Sequence, residues 1–400
     1  MALVLLTLLV GWYYPGGIVA LTNALASRAL AVKDLAAAER WLVWSRRFGG
    51  NEPHAELLAA RLARRQNRFD DVRRHLLHAQ KLGASIDLLQ REQWLVQAQA
   101  GQMREAEPHL AGLLVDPRSD GAEICEAYVT GYLLTYQLAR ARAVLKAWEG
   151  DFPGDPQPHL IRARMLQKEQ NWNEAVAAYR RVIELAPGNA EAMRGLADVL
   201  ATRREPAEAL EWYRRVPNDS IHAVEAQIGA ANCQVSLGET AAARKLLTQV
   251  LAADPEQPLV LRTLARLELE AGNYPRAVEL LRKAQEQRPQ DDETLYLLAA
   301  ALRRTGGGVQ ARQLSAEADR IRDTNIAINK LAGIVAQKPE DVEARYQIGT
   351  RLLDIGMRTE ALIWLNSVLQ FEPDHAGARE AIERARSQSQ DSGPASAARL

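Results

Sequence analysis

Two histidines, His75 and His78, stand three residues apart, a spacing that puts both imidazoles on one side of a helix and would suit a transition-metal ion. A zinc site needs three or four protein ligands, and no third ligand accompanies this pair in the sequence. The two therefore read as surface histidines. Cys125 and Cys233 are the only cysteines, and neither belongs to a C-x-x-C, so they read as small buried thiols. Gly306-Gly307-Gly308 lacks the lysine and the preceding strand of a phosphate loop and reads as a plain loop. No G-x-S-x-G, G-x-x-x-x-G-K or G-x-G-x-x-G occurs. Paired acids such as Asp70-Asp71 and Asp291-Asp292 fall at turns or helix starts, where carboxylates favour the helix dipole. His109 and His159 neighbour prolines and read as loop or cap residues. The expectation is a chain without catalytic residues, cofactor or metal: not an enzyme.

The elements that carry these residues are helical. Alanine stands at Ala38, Ala106, Ala141, Ala175, Ala209, Ala243, Ala277, Ala311 and Ala361, with Val72 filling the gap between the first two. Successive spacings are 34 or 35 residues until a final one of 50. Four residues later comes a bulky side chain, as at Leu42, Leu145, Tyr179, Tyr213, Leu247, Leu281 and Leu365, broken by Ser315. A proline follows at Pro153, Pro187, Pro255, Pro289 and Pro373. Twelve residues before each alanine lies a mostly small residue: Ala26, Ala60, Ala163, Ala197, Ala231, Ala265, Ala299 and Gly349, with Trp94 and Val129 as exceptions. Each period reads as two helices around a turn. Proline and glycine stop the second helix, and Gly101, Gly238, Gly272 and Gly356 sit at the turn between the two. An alanine on each helix lets the axes approach closely while the Leu or Tyr fills the groove towards the next period.

A 34-residue helix–turn–helix period with these anchors resembles the tetratricopeptide repeat family. About ten units begin near residues 19, 53, 87, 122, 156, 190, 224, 258, 292 and 342. The resemblance implies an all-α fold, a right-handed superhelical solenoid whose concave face, lined by the first helix of each unit, holds extended peptides or partner helices. The match is strongest from 156 to 305 and weaker in the first three units, which lack the terminal proline. Between Asp292 and Asp341 the interval stretches by 16 residues. There Ala327, Leu331, Ile334 and Pro339 repeat the second-helix code, predicting a three-helix module or one long helix from about Val309 to Gln337.

The side of each first helix opposite its packing stripe gives a candidate peptide groove of Arg164, Lys168, Arg194, Asn232, Arg262, Arg266, Arg303 and Arg304. Glu191, Asp198, Glu225, Glu270 and Glu293 stand against them. A modest basic excess would suit an acidic peptide or a C-terminal carboxylate, because arginine grips carboxylates through two parallel hydrogen bonds. Solvated helix faces are the bland reading of the same residues. The lysine and asparagine set of the family's carboxylate clamp is missing, since Asn232 is the only asparagine in such a place. Lys+Arg and Asp+Glu are equal at 50 each, and aromatics are 6%, which argues against a nucleic-acid groove.

Residues 1–26 carry no charged side chain. The apolar run MALVLLTLLV ends in Trp12, Tyr13 and Tyr14, aromatics of the kind found at membrane interfaces. A membrane anchor over 1–18 is the preferred expectation. The rivals are a signal cleaved after Ala24-Leu25-Ala26 and a buried N-terminal capping helix. Arg28 and Lys33 would place the repeats on the cytoplasmic side, and an exported or periplasmic orientation, or a soluble cytoplasmic protein, stays open. Residues 19–305 then form the repeat array, 306–341 an irregular extra-helix segment, and 342–387 the last repeat with a capping helix. Residues 388–400, polar and small, read as a disordered tail. The function expected is a non-enzymatic, membrane-tethered scaffold that binds proteins or peptides. The alternative is a recruiting subunit of a membrane-associated enzyme complex, in envelope polysaccharide or lipopolysaccharide assembly, or serving a glycosyltransferase or protease.

Overall fold

The computed structural model describes residues 15–49, 52–118 and 120–391. In chain order the helices are α1 (Pro15–Ala31), α2 (Leu35–Arg47), α3 (Pro53–Arg65), α4 (Phe69–Lys81), α5 (Ile86–Gln99), α6 (Met103–Ala106), α7 (Leu110–Val115), α8 (Gly121–Leu134) and α9 (Leu138–Asp151). They continue as α10 (Pro156–Lys168), α11 (Trp172–Leu185), α12 (Ala190–Thr202), α13 (Pro206–Arg215), α14 (Ala223–Ser236), α15 (Thr240–Ala253) and α16 (Pro258–Glu270). The last six are α17 (Tyr274–Gln287), α18 (Asp292–Arg304), α19 (Gly308–Gln337), α20 (Val342–Asp354), α21 (Arg358–Phe371) and α22 (Ala376–Asp391). No strand occurs among the described residues. The chain divides into two compact units, Met1–Val144 and Leu145–Leu400, and each is a stack of helix pairs.

Local chemistry sets the helix boundaries. Asp34, Asp155, Asn189, Asp291 and Asp341 accept a backbone N–H from the first turn of the helix they precede. Between the helices of each pair, one residue takes the left-handed conformation: Lys33, Asn67, Gly101, Tyr136, Gln170, Arg204, Gly238, Gly272, Gly306 and Gly356. The next residue's N–H then reaches back to close the helix end, as from Asn171 to the Leu166 carbonyl at 2.9 Å. Five of these ten residues are not glycine, so the turn recurs with a period the glycines alone do not display.

Packing follows the repeat. Every alanine of the second-helix column is fully buried, and Val72 is 1% exposed. The first-helix alanines from Ala26 to Ala299 are equally covered. Tyr179 of α11 lays its ring against the Gly195 backbone of α12, and Tyr213 of α13 does the same at Gly229 of α14. A β-carbon at either glycine would overlap the ring. The bulky position thus fills the groove towards the next pair, as the spacing predicted.

Three sequence expectations need correction. The second helix expected around Ala106 and Leu110 is broken, with a 3-10 turn at Glu107–His109 between α6 and α7. Pro108 lies inside it, and proline removes a helical donor and crowds the preceding turn. The first repeat helix begins at Pro15, so residues 15–18 belong to α1; the remainder of the expected anchor, residues 1–14, lies outside the described residues. Helix α22 runs to Asp391, so residues 388–391 are helical instead of tail, and 392–400 lie outside the described residues. Ala378, Ala381 and Ile382 of α22 bury against Leu365 and Val368 of α21. The extra residues of the stretched interval lengthen its second helix, α19, to 30 residues. Its Ala318 and Ile321 pack with Leu295 and Ile355. Among the described residues no helix is long and apolar enough to cross a membrane.

Candidate functional site

In the second unit, α14, α16 and α18 place Asn232, Arg262, Arg266 and Glu293 around a depression of about 230 Å³. Glu225, Ile228, Leu259 and Thr263 complete its lining. These residues converge because each lies on the side of a first helix that its packing alanine leaves free. Arg262 donates from Nη1 to both oxygens of Asp291, at 2.7 and 2.6 Å, and its Nη2 lies 3.1 Å from Glu293. Arg266 donates to Asn232 Oδ1 at 2.5 Å and stands 3.7 Å from Glu293. Asp291 meanwhile caps α18. The basic excess expected here is therefore not free charge: two arginines and two glutamates line the depression.

The other candidates are distributed differently. Arg164 of α10 pairs with Glu191 of α12, the same step that Arg266 makes to Glu293 three periods on. Arg194 binds Asp198 on its own helix at 2.9 Å. Arg303 donates to Ser315 of α19 at 3.1 Å, and Arg304 sits 5.8 Å over the Tyr274 ring; neither lines the depression. Lys168 is exposed at the end of α10 and does not line it either.

Asp198 also accepts the Tyr213 hydroxyl at 2.6 Å. Burial raises the Asp198 pKa, with that hydrogen bond and Arg194 opposing. An aspartate with a raised folded pKa costs stability where it is ionised, and the cost fades as acid protonates it. Tyr213→Phe removes one donor, so we expect a loss of about 1–3 kcal/mol at neutral pH. The loss should shrink as pH falls through the raised Asp198 pKa, already above the ordinary aspartate range, measured by urea unfolding at neutral pH and in acid.

The histidine pair meets a partner that sequence reading missed. His75 Nδ1 is 2.6 Å from Glu56 of α3, and His78 Nδ1 is 3.6 Å from the same carboxylate, which Arg46 of α2 also approaches. Among the described residues no group of three or more His, Cys, Asp or Glu is arranged to hold a metal ion. Cys125 and Cys233 are both buried, and burial pushes the Cys233 thiol up to about 11. The first unit also contains a buried charge cluster. Arg61, Arg64 and Arg65 of α3 surround Glu123 of α8, and Glu92 of α5 pairs with Nε of Arg64. Arg64 is 1% and Glu123 4% exposed. No motif announces this cluster, because its members come from three helices and two of them look like ordinary surface glutamates.

Comparison with known proteins bears on the fold. The tetratricopeptide repeat family matches residues 162–220, 228–292 and 262–326. Over 227 residues the chain is 30% identical to the cellulose synthase operon protein C of Pseudomonas fluorescens (strain SBW25), covering 50% of this chain and 18% of that one. It is 29% identical over 172 residues to the protein of that name from Escherichia coli (strain K12), covering 40% and 14%. The chain thus spans less than a fifth of the length of these curated relatives. Among solved structures, the type IV pilus biogenesis factor PilW is 22% identical with a TM-score of 0.44, over 49% of this chain and 91% of that one. Alanine columns, recurring left-handed turns and the matched segments agree, and residues 162–220 and 228–326 are tetratricopeptide repeats.

Proposed function

We propose that the protein is a non-enzymatic scaffold that binds a partner's peptide segment at the α14–α16–α18 depression. The observation that supports this reading is the Arg262–Arg266 pair, held side by side by Asn232, Asp291 and Glu293. A carboxylate from a partner would take the place of Glu293, exchanging one ion pair for another and so meeting pre-aligned donors. Charge reversal in Arg262→Glu with Arg266→Glu should lower capture of the partner from membrane extracts at least tenfold, read by pull-down with mass spectrometry. Because reversal could disturb the α18 cap, Glu293→Gln gives the complementary arm: it removes the carboxylate facing Arg266 and Arg262 Nη2 while Asp291 still holds Arg262 in place, and it should strengthen capture. Full capture by the reversed variant, or no gain with Glu293→Gln, refutes the site.

The apolar residues 1–14 support tethering to a membrane ahead of α1. Alkaline carbonate extraction tests it, and recovery wholly in the soluble fraction sinks it. A second reading makes the chain a recruiting subunit of an envelope polysaccharide machine, and the likeness to cellulose synthase operon proteins over half of this chain favours it. Co-purification with a polysaccharide synthase from detergent extracts would support that reading, and its absence counts against it.

A further inference from the structure

The ends of a repeat stack normally show water a polar face, because no further repeat covers them. Helix α22 obeys this rule, exposing Arg379, Glu380, Glu383 and Arg384. Helix α2, in the first pair, does not. Ala36, Arg40, Val43, Trp44 and Arg47 form one exposed stripe along it at helical spacing. Val43 is 57% and Trp44 47% exposed, and Trp44 stacks on Phe48 with ring centroids 5.7 Å apart. A large aromatic pair held half in water is costly to leave uncovered and suits a medium that is apolar at one depth and wet at the next.

Charge identifies that medium. Residues 15–49 carry five basic side chains, Arg28, Lys33, Arg40, Arg46 and Arg47, against Asp34 and Glu39, while the whole chain is balanced. Lys33 is taken up by Glu126 at 2.8 Å, whereas Arg40 and Arg47 flank the exposed tryptophan and face outwards. Arginines bracketing an exposed aromatic and aliphatic stripe match an anionic phospholipid surface, with the aromatic pair at headgroup depth.

We propose that α2 lies on the bilayer interface, with Trp44 and Phe48 among the headgroups and Arg40 and Arg47 against anionic phosphates. This rests on the proposed tether, which brings the first helix pair to the membrane, but adds a contact that a bare tether does not require. The test uses the full chain reconstituted with vesicles of phosphatidylcholine and phosphatidylglycerol containing lipids brominated near the headgroup. Flotation reports the tether, and quenching of tryptophan emission reports the contact. The chain has 8 tryptophans, so the comparison that isolates one of them is wild type against Trp44→Phe. If α2 docks, Trp44→Phe loses about one tryptophan's share of quenchable emission. Arg40→Glu with Arg47→Glu, or vesicles of phosphatidylcholine alone, should lose the same share. Flotation with a quenched share unchanged by Trp44→Phe overturns the docking and leaves the tether standing. Failure to float overturns both. Shielding of Trp44 from aqueous iodide without vesicles, lost on dilution, would make a second copy of the chain the occupant and overturn the lipid assignment.

Discussion

Glu123→Ala should unfold the first unit under conditions where the second persists. Burial alone would raise the Glu123 pKa; the guanidinium groups of Arg64, Arg61 and Arg65 outweigh it and hold the carboxyl well below the usual range. Removing the carboxylate leaves Arg64 without its Glu123 partner and nearly without solvent, with only Glu92 and the Gln99 amide oxygen, at 3.1 Å, still facing it. Deleting one member of a buried ion cluster costs about 3–5 kcal/mol, because the remaining charge is stranded. That is a large share of the ~5–15 kcal/mol of a typical domain. Hydrogen exchange of α3, α5 and α8 in the full chain would report it. Glu123→Gln separates charge from volume: it keeps the shape, so an effect close to that of alanine assigns the loss to charge. Pairing Glu123→Leu with Arg64→Met should recover only part of the loss, since it removes the stranded arginine but leaves the buried Glu92 without its partner.

The same cluster sets a pH dependence. The folded-state pKa of Glu123 lies below its unfolded value, so the stability it contributes is present above the ordinary glutamate range and declines as acid protonates the unfolded chain preferentially. The first unit should therefore weaken progressively below about pH 4.3. In the Glu123→Gln variant that part of the acid sensitivity should disappear. An acid profile identical to wild type would show that other carboxylates dominate.

What could be read from the sequence was what repeats. The buried alanine column and the tyrosines at Tyr179 and Tyr213 are side-chain sizes set by helix–helix distance, and distance recurs with the period. The turns at Lys33, Tyr136 and Arg204 carry no such mark, because these residues accept a left-handed backbone that glycine, and to a lesser degree asparagine, signals in sequence. The break at Pro108 was legible in principle, since a proline within an expected helix is a warning. The candidate groove shows the opposite limit. Helical spacing brings Arg262 and Arg266 to one depression, yet whether an arginine is free or neutralised depends on a side chain 27 or more residues away. In hindsight the Arg164–Glu191 and Arg266–Glu293 steps share one spacing, and a search for paired charges at the repeat's own offset would have found them. The Glu123 cluster has no such periodicity and was out of reach.

Gly131→Ala should cost nearly as much as stranding Arg64, for a steric reason. Gly131 lies on α8 where that helix crosses α5, and a β-carbon there would overlap the Ala98 carbonyl oxygen and the Met103 sulfur. The methionine can rotate away. The carbonyl belongs to a helix backbone whose Ala98 is fully buried, so relief requires α5 and α8 to separate. Overpacking of this kind costs about 1–3 kcal/mol, and an obstacle that is backbone places Gly131→Ala at the upper end. Gly333→Ala is the matched control. It lies in the interior of α19 with no atom within 4 Å of the added carbon, so alanine's better helix propensity should raise stability by up to about 1 kcal/mol. Opposite signs for one chemical change would tie the loss to the approach of α5 and α8. A neutral Gly131→Ala in thermal and urea unfolding would mean that the two helices already sit further apart than this packing requires.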